Sequence, residues 1–125
     1  MLGQMNIVAF VPTTDYDKAR AFYEGALGLR FVSNDGFAMV LDANGIMIRV
    51  VKVDFTPWPW TILGWEVPDI AAAAETLRSH DVKFEIYGFP GQDKNGIWTA
   101  PSGDKVAWFK DPDGNTLSIS QHVAG

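Results

Sequence analysis

The chain has 125 residues with 47% hydrophobic and 20% charged side chains, enough for one compact domain with a genuine core and unlike a disordered tail, a collagen repeat or a coiled coil. A net charge of −5 argues against nucleic-acid binding, and the lack of cysteine excludes disulfides, thiolate nucleophiles and cysteine-ligated metals. No apolar run is long enough to span a membrane and no basic-then-apolar leader opens the chain, so the expectation is a soluble, cytoplasmic domain with no membrane partner.

The first element is an apolar, partly β-branched run over residues 6–11, read as a buried strand that Pro12 stops. Thr14 or Asp15 then offers a helix cap, and Tyr16, Ala19, Phe22, Tyr23, Ala26 and Leu27 follow at helical spacing. Gly28 stands where a left-handed helix cap is wanted. Three strands follow over 29–32, 37–41 and 46–53, joined by the turn signals Asn34-Asp35-Gly36 and Asn44-Gly45.

Thr56-Pro57-Trp58-Pro59 is a stiff connector, and the order then repeats. A strand is expected over 60–67, a helix from the cap Asp69 to about His80-Asp81, and strands over 82–87, 105–110 and 116–121. The helix exits Gly28-Leu29-Arg30-Phe31 and Asp81-Val82-Lys83-Phe84 match, and so do the turns around Asn44 and Asn115. The second copy carries a long loop, 88–104, which in a compact domain is more often functional than idle. The reading is an α+β fold of two βαβββ modules, about 4–55 and 60–122 with a linker at 56–59, forming an incomplete barrel around a shared cleft.

Three stretches carry a resemblance: Asp15-Tyr16-Asp17-Lys18-Ala19-Arg20-Ala21-Phe22-Tyr23 with Leu27-Gly28-Leu29, then Trp65-Glu66-Val67-Pro68-Asp69-Ile70, and Phe109-Lys110-Asp111-Pro112-Asp113-Gly114-Asn115. The chain resembles the vicinal oxygen chelate superfamily, the group of glyoxalases, bleomycin-resistance proteins and extradiol dioxygenases. The resemblance implies a divalent metal held by His, Gln or Glu on the first, fourth, fifth and eighth strands. Those positions fall here at Val8, Arg49, Ile62 and Ser118, and none is a usual ligand for Zn, Mn, Ni or Fe. Their neighbours by one residue are non-ligands as well, so no metal and no cofactor are expected. A homodimer is a further implication of the resemblance.

Arg49 interrupts an otherwise apolar strand and needs a partner, either an internal acid such as Glu66 or an anionic or carbonyl-bearing ligand. Trp60 shares strand parity with Ile62, and Trp98 lies in the long loop, which makes both candidates for stacking on a ligand. His122 shares parity with Ser118 and could face the cleft, whereas His80 suits a helix C-terminus. Neither histidine joins a Ser/His/Asp or Cys/His arrangement recognisable from sequence. Asp111-Pro112-Asp113-Gly114-Asn115 lacks the ligand pattern of a calcium loop and reads as a β-turn.

The expected site is therefore an apolar cup formed by Val8, Phe10, Arg49, Trp60, Ile62, Glu66, Trp98, Ser118 and His122. One function fits it as a metal-free protein that binds or sequesters a small planar molecule. The alternative is a lyase or isomerase, with Arg49 holding an enolate-like anion and Glu66 or His122 moving protons, or with a displaced metal site.

Overall fold

The computed structural model describes residues 1–124, and the chain divides into two compact units, Met1–Thr56 and Pro57–Gly125. Among the described residues no helix is long and apolar enough to cross a membrane.

The first unit opens with a short 3-10 turn, Leu2–Gln4, followed by strand β1 (Val8–Thr13). Helix α1 (Tyr16–Arg20) runs into a π-helical turn, Ala21–Ala26, before β2 (Arg30–Asn34), β3 (Met39–Ala43) and β4 (Ile46–Lys52). The sheet order is β1-β4-β3-β2, with β1 parallel to β4 and the other pairs antiparallel. The Asp15 carboxylate caps α1 by accepting from the Asp17 and Lys18 N–H groups at 2.9 and 3.1 Å. Gly28 takes the left-handed conformation, φ 78°, that ends the helical segment. Tyr23, Ala19, Val11, Leu41, Ile48 and Val50 are buried as the core.

Two expectations for this unit need correction. β1 does not stop at Pro12 but runs through it to Thr13, because β1 is the terminal strand of its four-stranded order, where a residue lacking an N–H is tolerated. Phe37 is exposed in a turn rather than in a strand, since the Asp35 carboxylate captures the N–H groups of Phe37 and Ala38, each at 2.9 Å.

The second unit repeats the plan. Strand β5 (Thr61–Glu66) and helix α2 (Ile70–Ser79) precede β6 (Trp98–Thr99), β7 (Lys105–Lys110) and β8 (Thr116–Gln121). Its sheet order, β5-β8-β7-β6, is the same permutation as in the first unit, with β5 parallel to β8. Asp69 caps α2 by accepting from the Ala72 N–H, and the Gln121 side chain accepts from the Ile70 N–H at 2.8 Å, tying the helix start to β8. α2 packs on β7 and β8, and Ile70, Ala74, Ala107, Phe109, Leu117 and Ile119 are buried. The 111–115 turn is held by Asp111, whose Oδ1 accepts from the Asp113 and Asn115 N–H groups, with Gly114 at φ 88°.

The expected strand over 82–87 is not formed. Phe84 makes an isolated bridge to Phe109, and beyond it the Tyr87 and Gly88 N–H groups turn to the side chain of Gln92. The fourth strand comes instead from inside the long loop, as Trp98–Thr99 pairing with Val106 and Lys105.

Asp35 also accepts from the Arg49 guanidinium at 3.2 Å. The backbone N–H bonds from Phe37 and Ala38, reinforced by Arg49, hold its carboxyl below the ordinary 3.8. A folded value below the unfolded one gives stability that is complete above about pH 4 and lost as pH falls through the lower folded value. Thermal melts taken from neutral to acid pH should therefore show a shallower acid limb for Asp35→Asn than for the parent.

Candidate functional site

Alternation along β7 and β8 decides what the second unit presents. Ala107, Phe109, Leu117 and Ile119 face the helix, so their neighbours Val106, Trp108, Ser118 and Ser120 share the opposite face. On that face Trp108 lies opposite Ser118, Val106 opposite Ser120, and Trp98 opposite Val106. Gly64 and Glu66 of β5 extend the row beside Ser118 and Ser120. Gly64 gives Ser118 room there: a Cβ at this position would meet Ser118 Oγ at 2.6 Å and force that hydroxyl to turn away.

Above the row stand four rings in one contiguous cluster. Trp98 and Trp108 lie 6.2 Å apart at 34°, while Phe89 meets Trp108 edge-on at 5.9 Å and Tyr87 meets it at 5.6 Å. The pairs Phe89–Trp98 and Tyr87–Phe89 close the cluster at 6.5 and 5.4 Å. These edge-to-face and tilted geometries are favourable for aromatic pairs. An open pocket of about 640 Å³ is lined by Phe89, Pro90, Trp98, Thr99, Ala100, Pro101 and Trp108. A smaller one of about 200 Å³ is lined by Trp60, Tyr87, Phe89, Trp108 and Thr116 with Pro59 and Thr61. Trp108 and Phe89 wall both. Burial, and to a lesser degree the charge of Glu85, raise the Tyr87 phenol above its ordinary value, so it remains a neutral hydrogen-bond donor.

The loop that carries Tyr87 and Phe89 is built around one amide. Gln92 Oε1 accepts from the Tyr87 and Gly88 N–H groups at 2.8 and 3.0 Å, and Nε2 donates to the carbonyls of Glu85 and Gly96 at 3.0 and 3.1 Å. Trp98 Nε1 donates to the Pro90 carbonyl at 3.1 Å, which fixes the indole against the same loop.

The residues singled out from sequence divide between the units. Val8 and Phe10 lie on β1 opposite Met47 and Arg49 of β4, and Phe10 is 63% exposed. Arg49 has an internal acidic partner, Asp35 of its own unit, at 3.2 Å with the side chains 27% and 44% exposed. In the second unit Trp60 and Trp98 join the aromatic pockets, while Ser118, Glu66 and His122 belong to the same side of the sheet. Ile62 falls at a register irregularity in β5. Sequence reasoning missed Tyr87, Phe89 and Trp108. The parity of Trp108 with Val106 and its place opposite Ser118 were available signals; the loop fold that delivers Tyr87 and Phe89 was not.

The sequence profile of the Glyoxalase/Bleomycin resistance protein/Dioxygenase superfamily matches residues 4–119. The chain belongs to that superfamily. No curated protein sequence matches it. Among solved structures, a superfamily member from Sphaerobacter thermophilus is similar with a TM-score of 0.74 at 22% identity, covering 94% of this chain and 97% of that one. A glyoxalase/bleomycin resistance protein/dioxygenase from Alicyclobacillus acidocaldarius gives 0.71 at 16%, covering 97% and 93%. Lactoylglutathione lyase from Agrobacterium tumefaciens gives 0.68 at 17%, covering 94% and 93%.

The metal that the superfamily resemblance implies does not fit the residues present. Val8 and Ile62 are hydrocarbons, Arg49 is a cation engaged by Asp35, and Ser118 offers only a hydroxyl. Among the described residues no three His, Asp or Glu side chains converge as a metal site would need.

Replacing Gln92 with Leu leaves two N–H groups and two carbonyls without their partner. Unfolding free energy should fall by about 1–3 kcal/mol, and the near-UV circular dichroism of the indole cluster should weaken with it. A variant with unchanged melting and an unchanged aromatic spectrum would remove Gln92 as the organiser of the loop.

Proposed function

We propose that the protein binds a small planar, largely apolar molecule without a metal, on the aromatic face of the second unit. The observation that carries this reading is the open pocket of about 640 Å³ walled by Phe89, Trp98 and Trp108, with Tyr87 packed against Phe89 and Trp108 behind it. Small-molecule sites are mostly apolar with a few placed polar groups; Thr99 offers one in this pocket, and Thr61, Thr116 and Tyr87 offer them in the smaller pocket that shares Phe89 and Trp108. An apolar ligand gains roughly 25 cal/mol per Å² of area buried. Ring stacking on the indoles adds about 0.5–1.5 kcal/mol per pair.

Arg49 is the proposed anion-directed contact of the first unit, beside Val8 and Phe10. Its fork is shared with Asp35, so a ligand carboxylate there would compete with that side chain. An exposed pair of this kind contributes little to stability. Arg49→Met should therefore fold normally, and its effect should appear in binding. We also propose that two copies associate, because Leu2, Met5, Ile7 and Phe10 are all exposed; sedimentation at two concentrations tests this.

The binding reading is tested by titrating planar heteroaromatic compounds while following tryptophan fluorescence. A ligand that quenches the emission should bind Trp98→Ala about tenfold more weakly, as the loss of one stacking partner requires. A ligand bound equally well by Trp98→Ala and Trp108→Leu would place its site elsewhere. Elemental analysis of untagged protein should find far less than one transition metal per chain. Near-equimolar Zn, Mn, Ni or Fe that enhances ligand binding or supports turnover would overturn the metal-free reading.

A further inference from the structure

The same face of the second sheet carries a hydrogen-bonded relay that ligand binding does not use. Ser120 Oγ lies 3.0 Å from His122 Nε2, and His122 Nδ1 lies 3.3 Å from Asp104 Oδ2. Asp104 is itself held in place: its Oδ1 accepts from the Val123 N–H at 2.9 Å, and its own N–H donates to Ser102 Oγ at 3.3 Å. The register of the β7–β8 hairpin explains the convergence. Lys105 pairs with Gln121, which puts the preceding Asp104 level with His122, and alternation puts Ser120 and His122 on one side of the strand.

With Asp104 accepting from Nδ1–H, the remaining ring nitrogen Nε2 is a base aimed at a hydroxyl. That is the order of roles in a nucleophile, a base and an orienting acid, recognised by geometry rather than by position in the chain. Bonds to the Val123 N–H and to His122 hold the Asp104 carboxyl below its ordinary 3.8, so it is ionised at neutral pH. The His122 and Asp104 side chains are 48% and 32% exposed, so a small substrate reaches the pair. Ser120 is also close to the aromatic face. It lies opposite Val106, which in turn lies opposite Trp98, and adjacent strands are about 4.8 Å apart.

We propose that Ser120, His122 and Asp104 form a hydrolytic triad that cleaves small carboxylic esters of aromatic alcohols. The ester preference rests on the aromatic pocket of the preceding section, whereas the triad itself does not. Ser120 Oγ bonds to the ester carbonyl carbon as its proton passes to His122 Nε2. The carbonyl carbon–alkoxy oxygen bond then breaks, and the alcohol leaves with that proton. Water adds to the acyl carbon while giving a proton to Nε2, and Ser120 Oγ departs and takes the proton back. Ester and water become acid and alcohol, with no oxidation and no cofactor.

Intact protein is treated with a fluorophosphonate and analysed by peptide mass spectrometry, and hydrolysis of 1-naphthyl acetate is followed in parallel. The expected result is a single adduct on Ser120, absent in Ser120→Ala. Hydrolysis above the uncatalysed rate should fall about 100-fold or more in Ser120→Ala and in Asp104→Asn. Asp104→Asn still has an oxygen to accept from the Val123 N–H, so the end of β8 remains tied while the imidazole loses its carboxylate. The melting curve of Ser120→Ala should match the parent, and that of Asp104→Asn should stay cooperative. No adduct on Ser120, or hydrolysis unchanged in Ser120→Ala, overturns the triad. An adduct on Ser120 combined with an unchanged KM for 1-naphthyl acetate in Trp98→Ala keeps the triad and removes the aromatic substrate class, which separates failure of the pocket reading from failure of the proposal.

Discussion

The antiparallel pairing of β7 with β8 is the constraint on which the second unit depends. Its register buries Ala107, Phe109, Leu117 and Ile119 against α2 and leaves Trp108, Val106, Ser118 and Ser120 on the other face. Because side chains alternate with a period of two, a slip of one residue would exchange the two sets. The core therefore enforces the site. Any shift that carried Trp108 inward would also bring the Ser118 and Ser120 hydroxyls into an apolar layer, where unpartnered polar groups are costly. The aromatic pockets, the close approach of Ser118 to Gly64, and the Ser120–His122–Asp104 relay all follow from one hairpin register.

The repeat was legible because each unit's plan is written in local signals. The caps at Asp15 and Asp69, the left-handed Gly28, the Asn44-Gly45 hairpin and the 111–115 turn all form where the residue types place them. The misreadings share another cause. Residues 82–87 have the composition of a strand, yet a strand needs backbone partners, and Gln92 captures the Tyr87 and Gly88 N–H groups first. A single side-chain amide 5 residues further on outcompetes a ladder that propensity alone favours. The identity of the acid beside Arg49 was hidden for a similar reason: Asp35, organised by its bonds to Phe37 and Ala38, reaches the guanidinium from a turn in the same unit.

The candidate site was only half legible. Trp60 and Trp98 could be selected by parity and by loop length, but Tyr87 and Phe89 reach the cluster through loop geometry that no periodicity encodes. The relay illustrates the same limit. Ser120 and His122 are two residues apart at the end of β8, whereas Asp104 is 18 residues from His122 and joins them only once the hairpin register is known. Sequence spacing alone could not assemble that group.

Shared topology does not carry shared chemistry. Both units use one strand permutation, and each leaves a sheet face free of helix, but the two faces differ in what they offer. The first presents Phe10, Val8 and an arginine held by an aspartate; the second presents rings, hydroxyls and an imidazole. At the four positions where the superfamily resemblance implies metal donors, Val8, Arg49, Ile62 and Ser118 supply two hydrocarbons, a cation and a hydroxyl. A cation at one of those positions opposes a divalent ion electrostatically, and the hydrocarbons give no oxygen or nitrogen to replace its water. A face without strong metal donors can still recognise a planar ligand, because stacking and apolar burial need only rings held at fixed angles. That condition is met by the indoles and the Gln92-braced loop. Register, rather than composition, therefore sets what this face offers: the hydroxyls of β8 and the imidazole just beyond its end stand on the side that the rings occupy.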